Sequence, residues 1–223
     1  MSDKSKEIWE ELKSVLSGKT VDAILPPLLY AVFNAIFGLE IGVIAALGLA
    51  ILLGIRRIFK KQDWKYALGG VLGVGLAAGL ALITRNASNY FIPTIISSAL
   101  LLFGALISLV IGKPLAVWAS HLTRGWPLDW FWRRDVKPAY IEVTWMWIAF
   151  FGMRLALQIT LYVRGQAASL AWANTLLGWP VTILVLVISY IYGIWRLRRL
   201  GGPGVDEFKE GKSPPWRGQT RGF

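Results

Sequence analysis

One arginine interrupts a long apolar stretch of this chain. Arg154 lies in the middle of Ile141–Val163, an apolar stretch long enough to cross a bilayer as a helix. A charge at that depth costs from about 2.5 to more than 10 kcal/mol unless its surroundings supply hydrogen-bond acceptors. Gln158 follows one helical turn later on the same face, and we expect Asn34 at a similar depth in an earlier stretch. These three residues are the candidate ligand-binding set. They suit an anion, either a small solute or a lipid headgroup, and an internal hydrogen-bond hub without a ligand fits equally well.

Few residues in the sequence are suited to catalysis. The chain has no cysteine and a single histidine, His121, which excludes thiolate and multi-histidine metal sites and a disulfide scaffold. The motifs of phosphate-binding loops, serine hydrolases and zinc proteases are missing. We therefore expect a non-enzymatic protein with no catalytic residue, metal or cofactor. A lipid-modifying enzyme is a less favoured alternative. It would need a general base near the end of a span, and the residues that could serve as one are His121, Asp129, Asp135 and Glu142.

A second group of residues that could recognise a ligand lies in the Trp-rich loop, which we define as residues 113–140. Tryptophan favours the headgroup level of a bilayer, and a basic side chain near an anionic surface contributes about 1 kcal/mol. The sequence predicts an interfacial helix over Leu115–Leu122, and the whole loop either anchors the protein to the bilayer or docks a lipid or partner. The candidate lipid-interface residues are Trp118, Trp126, Trp130, Trp132, Arg133 and Arg134.

Six apolar stretches supply the elements that position these residues. The chain is 55% hydrophobic and only 17% charged, and its mean hydropathy is +0.53. Soluble domains are about 45–50% apolar and about 25% charged, so this chain has more apolar and fewer charged residues than they have. This composition predicts an all-α polytopic membrane protein with six transmembrane helices in three hairpins, plus cytoplasmic interfacial helices. Pro180 is expected to kink the last span. The predicted spans are 21–37, 39–59, 66–84, 91–112, 141–163 and 170–195.

The basic residues divide the connecting segments into two classes. Of the 24 Lys and Arg residues, 21 lie in the amino-terminal segment, the second and fourth loops and the tail, two lie in the other loops, and one is Arg154. Basic loops stay in the cytoplasm, so both termini are predicted to be cytoplasmic. Topology and contact with anionic lipids then explain the net charge of +11, and we expect no nucleic-acid partner.

The two ends of the chain lie outside the predicted spans. Residues 1–20 combine charge with helical periodicity, which predicts an amphipathic helix on the cytoplasmic leaflet and not a signal peptide. A partly disordered lead-in is the alternative there. Residues 200–223 are rich in Gly, Pro and charge, and are predicted to be a disordered cytoplasmic tail.

Small residues recur in the second and third spans. Because helices in lipid associate through close packing, we expect both spans to pack through these residues, the third on more than one side. The small residues are Gly42, Ala46, Ala50 and Gly54 in the second span, and Gly69, Gly73, Gly75 and Gly79 in the third.

Several segments resemble a known family. They are residues 64–70 (WKYALGG), 92–115 (IPTIISSALLLFGALISLVIGKPL), 147–159 (WIAFFGMRLALQI) and 174–192 (NTLLGWPVTILVLVISYIY). Together they resemble a family of uncharacterised bacterial multi-pass membrane proteins known only as a domain of unknown function. More distantly they are similar to the intracellular septation protein A family of inner-membrane proteins.

The resemblance implies a bacterial cytoplasmic (inner) membrane protein with a role in cell-envelope integrity or division, and it supplies no catalytic residue. We therefore expect a non-enzymatic envelope protein. Its expected partners are anionic membrane lipids, with a membrane-protein partner or a second copy of the chain as further candidates. The alternative function is a small-solute or lipid-anion transporter that uses Arg154.

Overall fold

The computed structural model describes residues 18–60, 64–220 and 222–223, and all regular structure within these ranges is helical. The predicted amphipathic helix over 1–20 falls largely outside the described residues. A 3-10 turn, Ala87–Phe91, precedes the fourth helix. The helices are α1 (Gly18–Phe37), α2 (Leu39–Phe59), α3 (Trp64–Thr84), α4 (Ile92–Val110), α5 (Leu115–Arg124), α6 (Leu128–Phe131), α7 (Lys137–Val163), α8 (Ala167–Leu176), α9 (Trp179–Leu200) and α10 (Val205–Lys209).

Four segments of the described chain are long and apolar enough to cross a membrane. They are Leu39–Phe59, Ala87–Val110, Lys137–Val163 and Ala167–Leu200. The apolar parts of α1 and α3, Leu25–Phe37 and Leu68–Thr84, are shorter. The structure thus agrees with an all-α integral membrane protein, while the arrangement of six spans in three hairpins stays a prediction.

The chain divides into two compact units. Unit 1 contains the described residues up to Ile96 together with Leu157–Trp179, and unit 2 contains Ser97–Ala156 and Pro180–Phe223. Within unit 1, α2 packs against both α1 and α3, and α1 also packs against α8.

The hairpin of α1 and α2 depends on two glycines. Gly38 turns the chain with a φ of 87°, a conformation that side chains disfavour. At Gly42, a Cβ atom would lie 2.9 Å from the backbone nitrogen of Asn34, so only glycine permits this approach of the two backbones. The predicted small-residue face of α2 is confirmed, since Gly42, Ala46, Ala50 and Gly54 are all buried.

The glycines of α3 do not pack as predicted. A Cβ atom added at Gly69, Gly73, Gly75 or Gly79 meets nothing within 4 Å. The buried residues of the described part of α3 are instead alanines: Ala77, Ala78 and Ala81. Alanine already permits close packing, so the glycines are left to line open space.

An aromatic cluster closes the core of unit 1 beside the 3-10 turn. Tyr30 stacks on Tyr90 with the ring centroids 3.9 Å apart, and the edge of Phe91 packs against both rings. The Tyr30 hydroxyl donates to the carbonyl oxygen of Ala87 at 2.8 Å. Buried tyrosines need such a partner, so this bond fixes the turn to α1.

The last apolar stretch is broken where the kink at Pro180 was expected. Helix α8 ends at Leu176 and α9 begins at Trp179, so Pro180 occupies the first turn of a new helix, where its missing N–H costs little. A Cβ atom at Gly178 would lie 2.5 Å from the carbonyl oxygen of Asn174. Glycine is therefore required at this sharp connection.

The predicted disordered tail is corrected by the structure, because the described tail residues are folded into unit 2. They form α10 and then return across the aromatic core, where Val205 and Phe223 are buried. Phe223 stacks on Tyr140 with the centroids 4.2 Å apart. Polar composition misled the prediction, since three spaced apolar residues, Val205, Phe208 and Phe223, suffice to dock the segment.

The fit of Phe223 against α9 gives a first testable prediction. A Cβ atom at Gly193 would overlap the ring of Phe223. We expect Gly193→Leu to displace this ring and to speed tryptic cleavage of the purified protein after Lys209 and Lys212. The matched control is Gly104→Leu, since a Cβ atom at Gly104 meets nothing within 4 Å. Equal cleavage rates in both variants would contradict docking of the tail.

Candidate functional site

Arg154 lies on α7 within unit 2, half-buried among apolar neighbours. Phe150, Phe151 and Leu155 beside it in the helix are all buried. The Nε atom of Arg154 is itself buried and has no hydrogen-bond partner among the described residues. A buried N–H donor without an acceptor costs about 1–3 kcal/mol, and more in a charged group. The described part of the chain therefore supplies no hydrogen-bond acceptor for the Nε atom of the Arg154 cation.

Gln158 lies in unit 1 and is fully buried. Its side-chain nitrogen donates to the amide oxygen of Asn174 on α8 at 2.6 Å, and Asn174 in turn donates to the carbonyl oxygen of Leu170 at 2.9 Å. The Gln158 amide oxygen has no partner among the described residues. The hydrogen bond from the Gln158 side-chain nitrogen to Asn174 connects α7 to α8, so Gln158 has a structural role.

Asn34 has a different environment, also within unit 1. It is half-buried on α1, and its backbone and Cβ atom abut Gly42 of α2. Its carbonyl oxygen accepts the Gly38 N–H at 3.1 Å. Asn34 and Gln158 therefore have separate roles in unit 1, whereas Arg154 belongs to unit 2. Of the three residues, Arg154 is the one whose charged group contains a donor without a hydrogen-bond partner among the described residues.

Two tryptophans of the predicted lipid interface are core residues of unit 2. Trp130 is 0% exposed and Trp126 is 7% exposed, and their rings meet edge to face with the centroids 5.5 Å apart. The Trp130 indole N–H donates to the carbonyl oxygen of Pro203 in the tail at 2.9 Å. The loop and tail supply enough apolar surface to bury these rings against each other, so for these two the interfacial prediction is corrected.

The remaining candidates of the Trp-rich loop are more accessible. Trp118 and Trp132 are half-buried, and Arg134 is exposed. Arg133 makes two hydrogen bonds to the carboxylate of Asp135, at 2.9 and 2.7 Å. This bidentate contact raises the pKa of Arg133 above its usual value. Its guanidinium also faces the ring of Trp216 at 5.3 Å, so it holds the tail and is not simply offered to lipid.

His121 has a structural environment. It lies in α5, and its Nδ1 atom is 2.7 Å from the carbonyl oxygen of Trp126, to which it donates when it carries the proton. Gly125 ends α5 in a left-handed conformation, with a φ of 65° and its N–H bonded to the carbonyl oxygen of His121. The side chain thus fastens the turn that follows the helix.

Sequence reasoning missed an ion-pair network between α7 and α9 in unit 2. Arg196 donates to both carboxylate oxygens of Glu142, at 2.8 Å in each case, and Tyr192 donates to the same carboxylate at 2.6 Å. The signal was present in the sequence: Glu142 is the one acidic residue of the fifth predicted span, and Tyr192 and Arg196 are one helical turn apart.

A second missed network lies in unit 1, beside the 3-10 turn. Tyr162 donates to the side-chain oxygen of Asn89 at 2.7 Å, and Asn89 donates to the Thr84 hydroxyl at 2.8 Å. Asn86 accepts the Ser88 N–H and caps the turn. These bonds tie the 3-10 turn to α3 and α7 within unit 1, while the buried hydroxyls of Ser88 and Tyr90 have no partner among the described residues.

Glu207 organises the tail through the backbone. Its carboxylate accepts the N–H groups of Gly204, Arg217 and Gly218 at 2.9, 2.8 and 3.1 Å. These bonds favour the ionised form and hold the pKa of Glu207 below its usual value. The tail is therefore folded around one half-buried carboxylate.

These features define a class: a protein whose described residues form only helices as regular structure and include four segments of membrane-spanning length and apolarity. The chain belongs to the family described as "Protein of unknown function (DUF3159)", whose model matches residues 17–198. Comparison with the curated proteins and with the solved structures found no match for this chain. The family match ends before the folded tail begins.

The environment of Glu207 predicts a pH dependence of tail folding. A carboxylate with a lowered pKa stabilises the fold above its unfolded pKa, and that contribution disappears as the pH falls through the folded pKa. A fluorophore attached through Ser213→Cys should therefore gain mobility, seen as falling anisotropy, as the solution is acidified below the usual carboxyl range.

The variant Glu207→Gln tests the assignment of that transition. It should be mobile already at neutral pH and respond weakly to acid. Glu210→Gln is the matched control, because Glu210 lies nearby and pairs with Lys212 without touching these backbone groups. An acid transition that persists unchanged in Glu207→Gln would overturn the role of Glu207.

Proposed function

We propose that this chain is a non-enzymatic multi-pass membrane protein that binds an anion at Arg154, and that the anion is the phosphate of a membrane lipid. The observation that carries the proposal is the buried Nε atom of Arg154, which lacks a hydrogen-bond partner among the described residues. A phosphate offers the planar guanidinium several acceptor oxygens and the opposite charge. Binding it would remove the cost of keeping the donor unsatisfied.

The surroundings of Arg154 favour a lipid over a soluble anion. Phe150, Phe151 and Leu155 line the same helix, and Met153 beside the arginine is largely exposed on an apolar surface. A lipid brings its own hydrocarbon chains to such a surface, whereas a small hydrated anion would have to lose its water there. A transporter of small anions would use the same residue, and anion flux into proteoliposomes distinguishes it.

The setting we propose is the cytoplasmic membrane of a bacterium, with both termini in the cytoplasm and a role in envelope integrity. The uneven distribution of the 24 Lys and Arg residues supports the orientation. The location and the role are proposed from the sequence segments that resemble septation proteins of the inner membrane. In this setting the exposed apolar faces recruit a membrane-protein partner or a second copy of the chain.

The orientation is testable with single cysteines, since the chain contains none of its own. We expect Gln166→Cys to react with a membrane-impermeant thiol reagent added to intact cells, because Gln166 is exposed in a predicted outer loop. Ser213→Cys, equally exposed in the tail, should react only after the cells are opened. The reverse pattern would invert the proposed topology.

The role of Arg154 is tested with Arg154→Leu and Arg154→Lys, and Met153→Leu is the matched control. Leucine removes the charge that binds phosphate, so anionic lipid that co-purifies with the protein should fall several-fold. The melting temperature should hold or rise, since replacing a buried charge by an apolar side chain is often neutral or stabilising. Lysine should retain part of the lipid.

Two results would contradict this function. Unchanged lipid content in Arg154→Leu would show that Arg154 is an internal hub and not a lipid site. A fall in lipid content that occurs equally in Met153→Leu would show a general effect of altering this surface.

A further inference from the structure

An apolar groove runs along the surface of unit 1 between α2 and α3. Its volume is about 490 Å³, which is within the range of ligand sites. One wall includes Leu47 of α2, and the rest is a face of α3 that extends from Val71 to Ile83. Gly75 and Gly79, one helical turn apart, line it, and a Cβ atom at either would meet nothing within 4 Å. The space left by their missing side chains forms the groove.

The dimensions of the groove suit a single hydrocarbon chain. From Val71 to Ile83, twelve steps along the helix, the rise is about 18 Å, close to the roughly 15 Å depth of one leaflet of a bilayer. Leu72, Leu76 and Ile83 also line the groove and are largely exposed. These long side chains would keep the backbone of a partner helix away from the glycines, while a flexible chain fits between them.

A concentration of positive charge lies at one end of the same two helices. Residues 56–65 contain five basic residues and one acidic residue. Arg56 and Arg57 occupy the last turn of α2, and Lys65 the first turn of α3. Lys65 precedes Val71 by six residues, or about 9 Å along the helix. The exposed indole of Trp64 adjoins Lys65 and is of the type that favours the headgroup level.

We propose that the groove binds one anionic phospholipid, with an acyl chain along Gly75 and Gly79 and the phosphate among Arg56, Arg57 and Lys65. The charges select this occupant. A second copy of the chain laid in parallel in the groove would bring two identical basic segments together, which is unfavourable, whereas an anionic headgroup neutralises them. The residues of this site belong to unit 1, whereas Arg154 belongs to unit 2.

The experiment is native mass spectrometry of the full-length protein, titrated with phosphatidylglycerol or with phosphatidylcholine. Gly79→Leu should fill the groove and lower the apparent affinity for phosphatidylglycerol by about tenfold, as expected when several buried methylene groups lose contact. Gly73→Leu is the matched control, because Gly73 lies on the same helix, also faces open space, and does not line the groove.

Charge variants test the headgroup end. The double variant Arg56→Gln and Arg57→Gln should weaken phosphatidylglycerol binding by about tenfold and leave phosphatidylcholine binding unchanged. Arg164→Gln, which removes an exposed charge from a different part of unit 1, should bind both lipids as the wild type does. Melting temperatures within a few degrees of the wild type show that the variants are folded.

Each other outcome overturns the proposal. Equal affinity for both lipids in every charge variant would show an acyl-chain groove that does not select anionic headgroups. Loss of dimers in Gly79→Leu without loss of lipid would show that a second copy covers the groove. Arg154→Leu should leave this site intact, so failure of the lipid role of Arg154 and failure of the groove proposal are distinguishable.

Discussion

A polar group inside an apolar setting must find its partner within the protein or in something the protein binds, and this constraint explains most of the side-chain arrangement described above. Glu142 meets it with Arg196 and Tyr192, and Asn89 meets it with Tyr162 and Thr84. In each case an otherwise costly polar group becomes a tie between separate segments of the chain. Five buried side-chain atoms of the described residues lack such a partner, and the Nε atom of Arg154 is the one that belongs to a charged group, which is why it carries the functional argument.

The same constraint orders the Trp-rich loop and the tail. Four aromatic residues, Trp130, Phe131, Tyr140 and Phe223, bury their rings against one another, and the Trp130 N–H is bonded to Pro203 of the tail. A segment rich in glycine and charge is thereby held by a few apolar contacts and by the backbone bonds to Glu207. Composition averages over these contacts, so it predicts disorder where a few spaced side chains enforce a fold.

The positions of helices were predictable from the sequence where a long apolar stretch coincides with a single helix. Apolar length predicts α2, α4 and α7 directly, and the Gly178–Pro180 connection is signalled by its residues. The burial of Trp126 and Trp130 was not predictable, because tryptophan suits a membrane interface and an aromatic core equally well. Which setting it takes depends on the partner surface, here the tail, that lies far away in sequence. The candidate set was drawn from the charge of Arg154, the helix face that Gln158 shares with it and the expected depth of Asn34, and none of these tells which side chains have local partners.

The glycines of α2 and α3 show why a sequence pattern does not fix a packing surface. Both helices repeat small residues at spacings that permit close approach, yet Gly42 and Gly54 are buried while Gly75 and Gly79 line an open groove. The two sets of glycines differ in the residues that face them from the neighbouring helix. Asn34 of α1 reaches Gly42 within contact distance because Gly38 closes the hairpin in one residue. Helix α3 instead buries its alanines, and Leu72 and Leu76 flank the glycines, so these face a space that a flexible chain fills better than a helix does.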